Sequence, residues 1–437
     1  MKTRTVAYWL GVCLPALAGT SIAAMELRVM TSYPEAVVSR FEEAFETAHP
    51  DIPVQILWRR SNDALPYLLQ PEQGGVDVYW TPSRRNFLAL KHAGAFGPIG
   101  IDRTGLPDKI GDLAISDPDG QYLASEIAGY GIFVDTDRLQ ELGMPEPERW
   151  KDLADPRLRG EVALPVPSQV GFAPMLIDQL LQAEGWEKGW NTWRAIALNS
   201  RLIQRRGGAI TGEVSSGRLA AGLTMDFFAL STMTDGGRGK FIYPHRTTFN
   251  PAQIGIMAAT RQRPAAETFV AFILSDAGQR LLFHPAISRL PVRPSVYAKA
   301  PADYSNPFTR TLDARYDPVA GTARSGFNTA LFDAAITRQQ SALTRAWASV
   351  HEVEKTATTT EQPMLQQARA ALEALPVSEP AADSPLVTAC AQRHRQADAE
   401  TRCAAAEQAW DAFFSARYAE ALRLADTILT VRQGQTP

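Results

Sequence analysis

Small hydroxyl residues recur where apolar runs give way to helical spacing: Thr31-Ser32, Ser61, Thr81-Pro82-Ser83 and Pro167-Ser168-Gln169-Val170-Gly171. At a helix start the free backbone N–H groups and the positive end of the dipole hold anions, and a Ser or Thr adds one more donor. Any one of these residues is explained as an ordinary N-cap. Four such starts, drawn from both halves of one chain, point to a cleft for a small anion. Arg60, beside Ser61, is the candidate cation, because a guanidinium makes two parallel bonds to phosphate or carboxylate. Its plainer reading is a solvated arginine at a strand end.

Catalytic chemistry has no visible foothold. Gly236-Gly237-Arg238-Gly239-Lys240-Phe241 has neither Walker spacing nor a Ser/Thr after the lysine, so it reads as a turn. Gly212-Glu213-Val214-Ser215-Ser216-Gly217 lacks the glycine two positions before either serine that a nucleophile elbow needs. The histidines (His49, His92, His245, His284, His351 and His394) are scattered, with neither HExxH nor CxxC. A secreted hydrolase would need a nucleophile, a base and an orienting group, and none can be assembled. No metal or cofactor is expected, and the chain reads as a binding protein.

The elements that must position the hydroxyls follow from periodicity. Strands are expected over Leu27–Met30, Ile52–Trp58 and Val76–Trp80, each followed by a helix: Pro34–Ala48, Asp63–Leu69 and Arg84–Ala93. Tyr122–Val134 reads as a crossover strand leading through Asp135-Thr136-Asp137 into a helix. A second α/β unit follows, with strands at Gly160–Leu164 and Leu219–Thr224 and helices at Phe172–Ala183 and Gly189–Asn199. Lys240–Tyr243 and Gln253–Ala259 look like strands returning to the first half, ahead of one long helix over Ala265–Phe283. Between Gly326 and Gly434 the chain carries no glycine and is rich in Ala, Gln, Glu, Arg and Leu, which predicts an all-helical region.

Length and composition agree. A chain of 437 residues, 45% apolar and 21% charged, suits two or three soluble domains. Lys+Arg 44 against Asp+Glu 47 gives a net charge of −3, which argues against a general nucleic-acid or anionic-membrane binder. Lys2 and Arg4, an apolar stretch and Ser21-Ile22-Ala23 read as a signal peptide over residues 1–23, with an uncleaved anchor as the rival reading; the mature protein is expected in the periplasm. Removal of Cys13 with the leader leaves Cys390 and Cys403 as candidates for one disulfide in that oxidising compartment. Their spacing demands a turn between two helices, with Asp398 as the expected cap of the second.

Several segments resemble a known family. Trp150-Lys151-Asp152-Leu153-Ala154-Asp155-Pro156 through Gly160, the helix start at Ser168 to Gly171, Glu213–Met225, Phe272-Ile273-Leu274-Ser275-Asp276 and Leu290-Pro291-Val292-Arg293 are similar to periplasmic solute-binding proteins of the ferric-iron and phosphate-ester group. The resemblance covers residues 26 to 300. It implies an α/β, two-lobed periplasmic binding protein fold with a crossover hinge, here carrying an all-helical C-terminal extension. The corresponding bounds are 24–125 and 240–300 for the first lobe, 126–239 for the second, and 301–437 for the extension.

Carried onto this chain, the resemblance places Ser32, Ser61, Thr81, Ser168 and Gln169 around the anion with Arg60, and makes Tyr130 a hinge residue. Asp226 would accept from ligand hydroxyls, pair with Arg60 or cap a helix. Iron-binding relatives carry a tyrosine pair where this chain has Phe227-Phe228, so a ferric-iron, other metal or polyamine carrier is the second reading. The tail, with Thr337-Arg338 and Ala346-Trp347, is similar to that of phosphoglycerate-type regulatory members. It implies a monomer that presents a phosphorylated or carboxylated anion to an ABC permease or a membrane sensor kinase. Within the tail, Phe327, Phe332, Ile336, Trp347 and Val350 are expected to buttress a lobe, and the part beyond Pro376 to face that partner.

Overall fold

A computed structural model describes residues 26–205, 207–311 and 316–434. The leader expected over 1–23 lies outside the described residues. Three strand-helix units open the fold: β1 (Leu27–Thr31), α1 (Glu35–Ala48), β2 (Val54–Trp58), α2 (Ser61–Leu68), β3 (Val78–Thr81) and α3 (Arg84–His92). β1 lies between β2 and β3 and is parallel to both. Helix α1 buries Val37, Val38, Phe41 and Phe45, one stripe at helical spacing, against this sheet.

After a short hairpin, β4 (Lys109–Ile110) and β5 (Leu113–Ala114), comes β6 (Tyr122–Val134), thirteen residues that are all buried. Then follow α4 (Thr136–Glu141), β7 (Val162–Pro165), α5 (Ala173–Glu184), α6 (Trp186–Leu198), β8 (Ser200–Ile203), α7 (Gly208–Ser215), β9 (Ala221–Met225) and α8 (Asp226–Thr234). Next are β10 (Lys240–Ile242), β11 (Phe249–Ile256), α9 (Arg263–Leu274) and α10 (Asp276–Leu281). The strand order is β2-β1-β3-β11-β6-β9-β7-β8, with β10 added to β6.

β6 serves both halves of this sheet. Tyr122–Gly129 pair with β11, whereas Tyr130–Val134 pair with β9, so the partner changes between Gly129 and Tyr130. The returning chain crosses close by: a Cβ on Gly129 would sit 2.5 Å from the Tyr243 ring, and one on Gly131 2.4 Å from the Ile242 carbonyl oxygen. Glycine is what allows the two crossing segments to touch.

Three sequence expectations are corrected here. Residues 240–242 do not return to the first half; they pair with Ile132–Val134 in the second. The next strand begins at Phe249 rather than Gln253, because a bulge at Ala252/Gln253 absorbs the irregularity around Pro251. The long helix is two helices, broken at Ser275, whose hydroxyl accepts from the Gly278 N–H and caps α10.

The extension comprises α11 (Pro318–Phe332), which runs on through a π-helical turn to Thr337, then α12 (Gln340–Glu354), α13 (Gln362–Glu373), α14 (Pro385–Gln392) and α15 (Ala397–Gly434). It shares one buried apolar cluster with the second half of the sheet and with α5 and α6. Trp186 meets Phe327 and Trp193 meets Phe332, with ring centroids 6.2 and 6.4 Å apart. Packing continues beyond Pro376: the Trp186 indole donates to the Val377 carbonyl, and Trp410, Phe414 and Tyr418 of α15 are buried in the same cluster. Cys390 and Cys403 are joined as a disulfide between α14 and α15, Cα atoms 5.0 Å apart. Asp398 lies inside the first turn of α15 instead of capping it. Among the described residues no helix is long and apolar enough to cross a membrane.

Candidate functional site

Parallel strands in register end together, and the hydroxyls at their ends meet. Ser32, after β1, hydrogen-bonds Thr81 at the end of β3, and the Ser61 hydroxyl donates to Ser32 at 3.5 Å. Neither α2 nor α3 has a side-chain cap at its start. The trio is therefore a cross-strand network rather than three separate caps, and Asn86 of α3 ties into it by donating to the Ser61 carbonyl at 2.6 Å.

Immediately after Thr81 the chain enters a cleft of about 360 Å³, within the usual range for small-molecule sites. It is lined by Ser83, Arg84, Arg85 and Arg289, by Phe172, Met175 and Phe227, and by Ala128 and Tyr130 of β6. Ser288, buried, holds φ at 51°, and the chain turns there into Arg289. The Arg289 guanidinium stacks 3.8 Å over the Phe227 ring and stands 3.7 Å from Glu126, the only carboxylate lining the cleft among the described residues. Burial raises the Glu126 carboxyl, partly offset by Arg289.

Arg84 is the most informative of the three arginines. Its Nε and Nη1 are buried with no hydrogen-bond partner among the described residues. Burial draws its affinity for the proton down, yet a guanidinium stays charged at any physiological pH. A buried cation whose donors lack acceptors is costly, and an incoming oxyanion would satisfy it.

Ser32, Ser61 and Thr81 do not themselves line the cleft, and neither do Arg60, Ser168 and Gln169. Arg60 is exposed at the start of α2, while its neighbour Arg59 covers the Tyr67 ring at 4.0 Å. Ser168 and Gln169 are exposed; it is Gly171 and Phe172, just beyond, that line the cleft. Tyr130 lines the cleft at the crossing, its carbonyl accepting from the Thr247 hydroxyl at 2.6 Å.

Asp226 neither pairs with Arg60 nor faces the cleft. It is buried, and its Oδ2 accepts from the Gly129 N–H at 2.5 Å and from the Tyr243 hydroxyl at 2.9 Å, clasping the two crossing segments. Burial pushes its carboxyl up to about 7, opposed by those two bonds and by Arg289. An unfolded aspartate titrates near 3.9, so the folded protein holds this proton more tightly than the unfolded chain does. The resulting stabilisation is full below about pH 4 and is lost as pH rises through about 7. Asp226→Asn should flatten that dependence and leave the variant more stable than the parent at pH 8 by roughly 2 kcal/mol, read by urea denaturation across pH 4 to 8. A variant equally pH-dependent would exclude Asp226 as the source.

Arg84, Arg85, Arg289 and Phe172 were not singled out from the sequence as site residues, and Phe227 was noted only as standing where iron-binding relatives carry a tyrosine. The signal existed for two of the arginines: they follow Thr81-Pro82-Ser83, a helix start already read as anion-binding. Among the described residues no group of three or more His, Cys, Asp or Glu is placed to hold a metal ion.

The family model described as bacterial extracellular solute-binding protein matches residues 83–311, more than half of the chain. The phosphoglycerate transport regulatory protein PgtC of Salmonella typhimurium is 26% identical over 255 residues, which are 58% of this chain and 62% of that protein; the match thus spans less than two thirds of the relative. An uncharacterized protein of Haemophilus influenzae is 31% identical over 168 residues, 37% of this chain and 48% of its own length. Among solved structures, the periplasmic binding protein AfuA from Actinobacillus pleuropneumoniae, with fructose-6-phosphate bound, aligns with a TM-score of 0.53 at 18% identity, over 74% of this chain and 97% of its own. The ferric binding protein from Campylobacter jejuni aligns with a TM-score of 0.53 at 15% identity, over 68% and 94%. At these identities the likeness is one of fold, and the fold is the two-lobed one of periplasmic binding proteins.

Proposed function

This chain belongs to the family of bacterial extracellular solute-binding proteins, and from that membership we propose that it captures a small phosphorylated or carboxylated organic anion, phosphoglycerate-like, in the cleft between its two lobes. The observation that carries this reading is the set of three guanidinium groups, Arg84, Arg85 and Arg289, around a cleft with one carboxylate, two nitrogens of Arg84 being buried and unpartnered. The name of the Salmonella relative supports phosphoglycerate as the class and a regulatory use. The ligand is held without turnover in the periplasm, and the closed protein presents it to a membrane permease or sensor kinase. Tyr130, where β6 changes partners, is the hinge.

Calorimetry on the mature protein with 3-phosphoglycerate, citrate and ferric citrate tests the reading. A bound anion at about 100 times its Kd should also stabilise the protein by about 2.7 kcal/mol. Binding of ferric iron alone, with no response to either organic anion, would replace it with the iron reading that the aligned ferric binding proteins keep open.

A further inference from the structure

The family match ends at residue 311, and the helices from α11 onwards lie beyond it. They are not remote from the cleft. Thr322, in the second turn of α11, lines the same cavity as Arg84, Arg85 and Arg289. Its place is fixed by polar bonds to α5, the helix that also brings Met175 to the cleft. Arg324 Nε stands 3.2 Å from the buried Asp178 carboxylate, Asn328 donates to that carboxylate at 2.8 Å, and Gln182 bonds both the N–H and the carbonyl of Asp317. Gly321 packs so tightly that a Cβ there would lie 2.2 Å from the Tyr316 hydroxyl. Tyr316 and Asp317, which lead into α11, act electrostatically on Arg84.

We propose that the C-terminal extension forms part of the ligand site, with Thr322 bounding the bound anion. This rests on the anion reading above. In such a protein, ligand capture touches the extension directly.

The test is calorimetry on the full mature chain with 3-phosphoglycerate, which has a phosphate and a carboxylate, and glycerol 3-phosphate, which has the phosphate alone. Thr322→Trp should weaken both at least tenfold, and the smaller Thr322→Met serves if the tryptophan variant misfolds. Thr430→Trp, on an exposed position of α15, should change neither. If Arg84→Ala loses binding while the Thr322 variants bind as the parent does, the anion reading stands and the role of the extension is overturned. If the parent binds neither anion, both are overturned.

Discussion

Arg84→Ala should lower affinity for the captured anion by about a hundredfold to a thousandfold, while the unliganded protein keeps or slightly gains stability. Hydrogen bonds to charged groups contribute about 1.5–3 kcal/mol each, and Arg84 offers two buried nitrogens with no other acceptor. Losing two such bonds, each near the lower end of that range, removes about 3–4 kcal/mol of binding. The unliganded protein loses nothing comparable, because the same nitrogens are unpaired there and their burial is unfavourable. Arg84→Lys keeps a charge without the two-pronged geometry and should fall between parent and alanine variant. Calorimetric titration paired with thermal unfolding of the free protein reads both effects. Unchanged affinity would remove Arg84 from the site, and a large loss of stability with it would make Arg84 a structural residue.

The largest stability effect is expected at the joint between lobe and extension. Trp193 of α6 is fully buried, donates from its indole to the Ile177 carbonyl at 3.2 Å, and packs edge-on against Phe332 of α11. Truncating a buried tryptophan to alanine costs about 3–5 kcal/mol, and the aromatic pair adds about 0.5–1.5. Trp193→Ala should therefore destabilise by about 4–6 kcal/mol, a large share of the about 5–15 kcal/mol that holds a domain together. Urea denaturation followed by circular dichroism measures it. A loss under about 2 kcal/mol would show that the cluster relaxes around the gap. Truncation before Pro376 would remove α14 and α15, and with them Trp410, Phe414 and Tyr418 from the shared cluster, so loss of folding is the expected outcome.

The first three strand-helix units were legible because alternating apolar runs and a helical stripe such as Val37, Val38, Phe41 and Phe45 state their period locally. The meeting of Ser32, Ser61 and Thr81 followed, since parallel strands in register bring their ends to one edge. The side to which residues 240–242 belong was not legible, because three residues of strand carry no signal of which partner they choose. Arginines failed for a related reason. Arg60 stands just before its helix and Arg84 opens its own, each beside a marking serine, and nothing local in the sequence says that the first meets solvent and the second the cleft. Asp226 read equally well as a cap or a ligand contact because its true partners, Gly129 and Tyr243, are brought to it by the crossing of segments distant in sequence.

β3 remains a bare edge until β11 docks on it, pairing Thr81 with Gln253 and Val78 with Ile256 across the intervening second lobe. During synthesis and passage to its compartment, the first three strands therefore expose unpaired N–H and C=O groups for as long as that lobe takes to arrive. Closing so long a loop before the contact is rewarded slows folding. A fragment ending before Phe249 should therefore aggregate rather than fold.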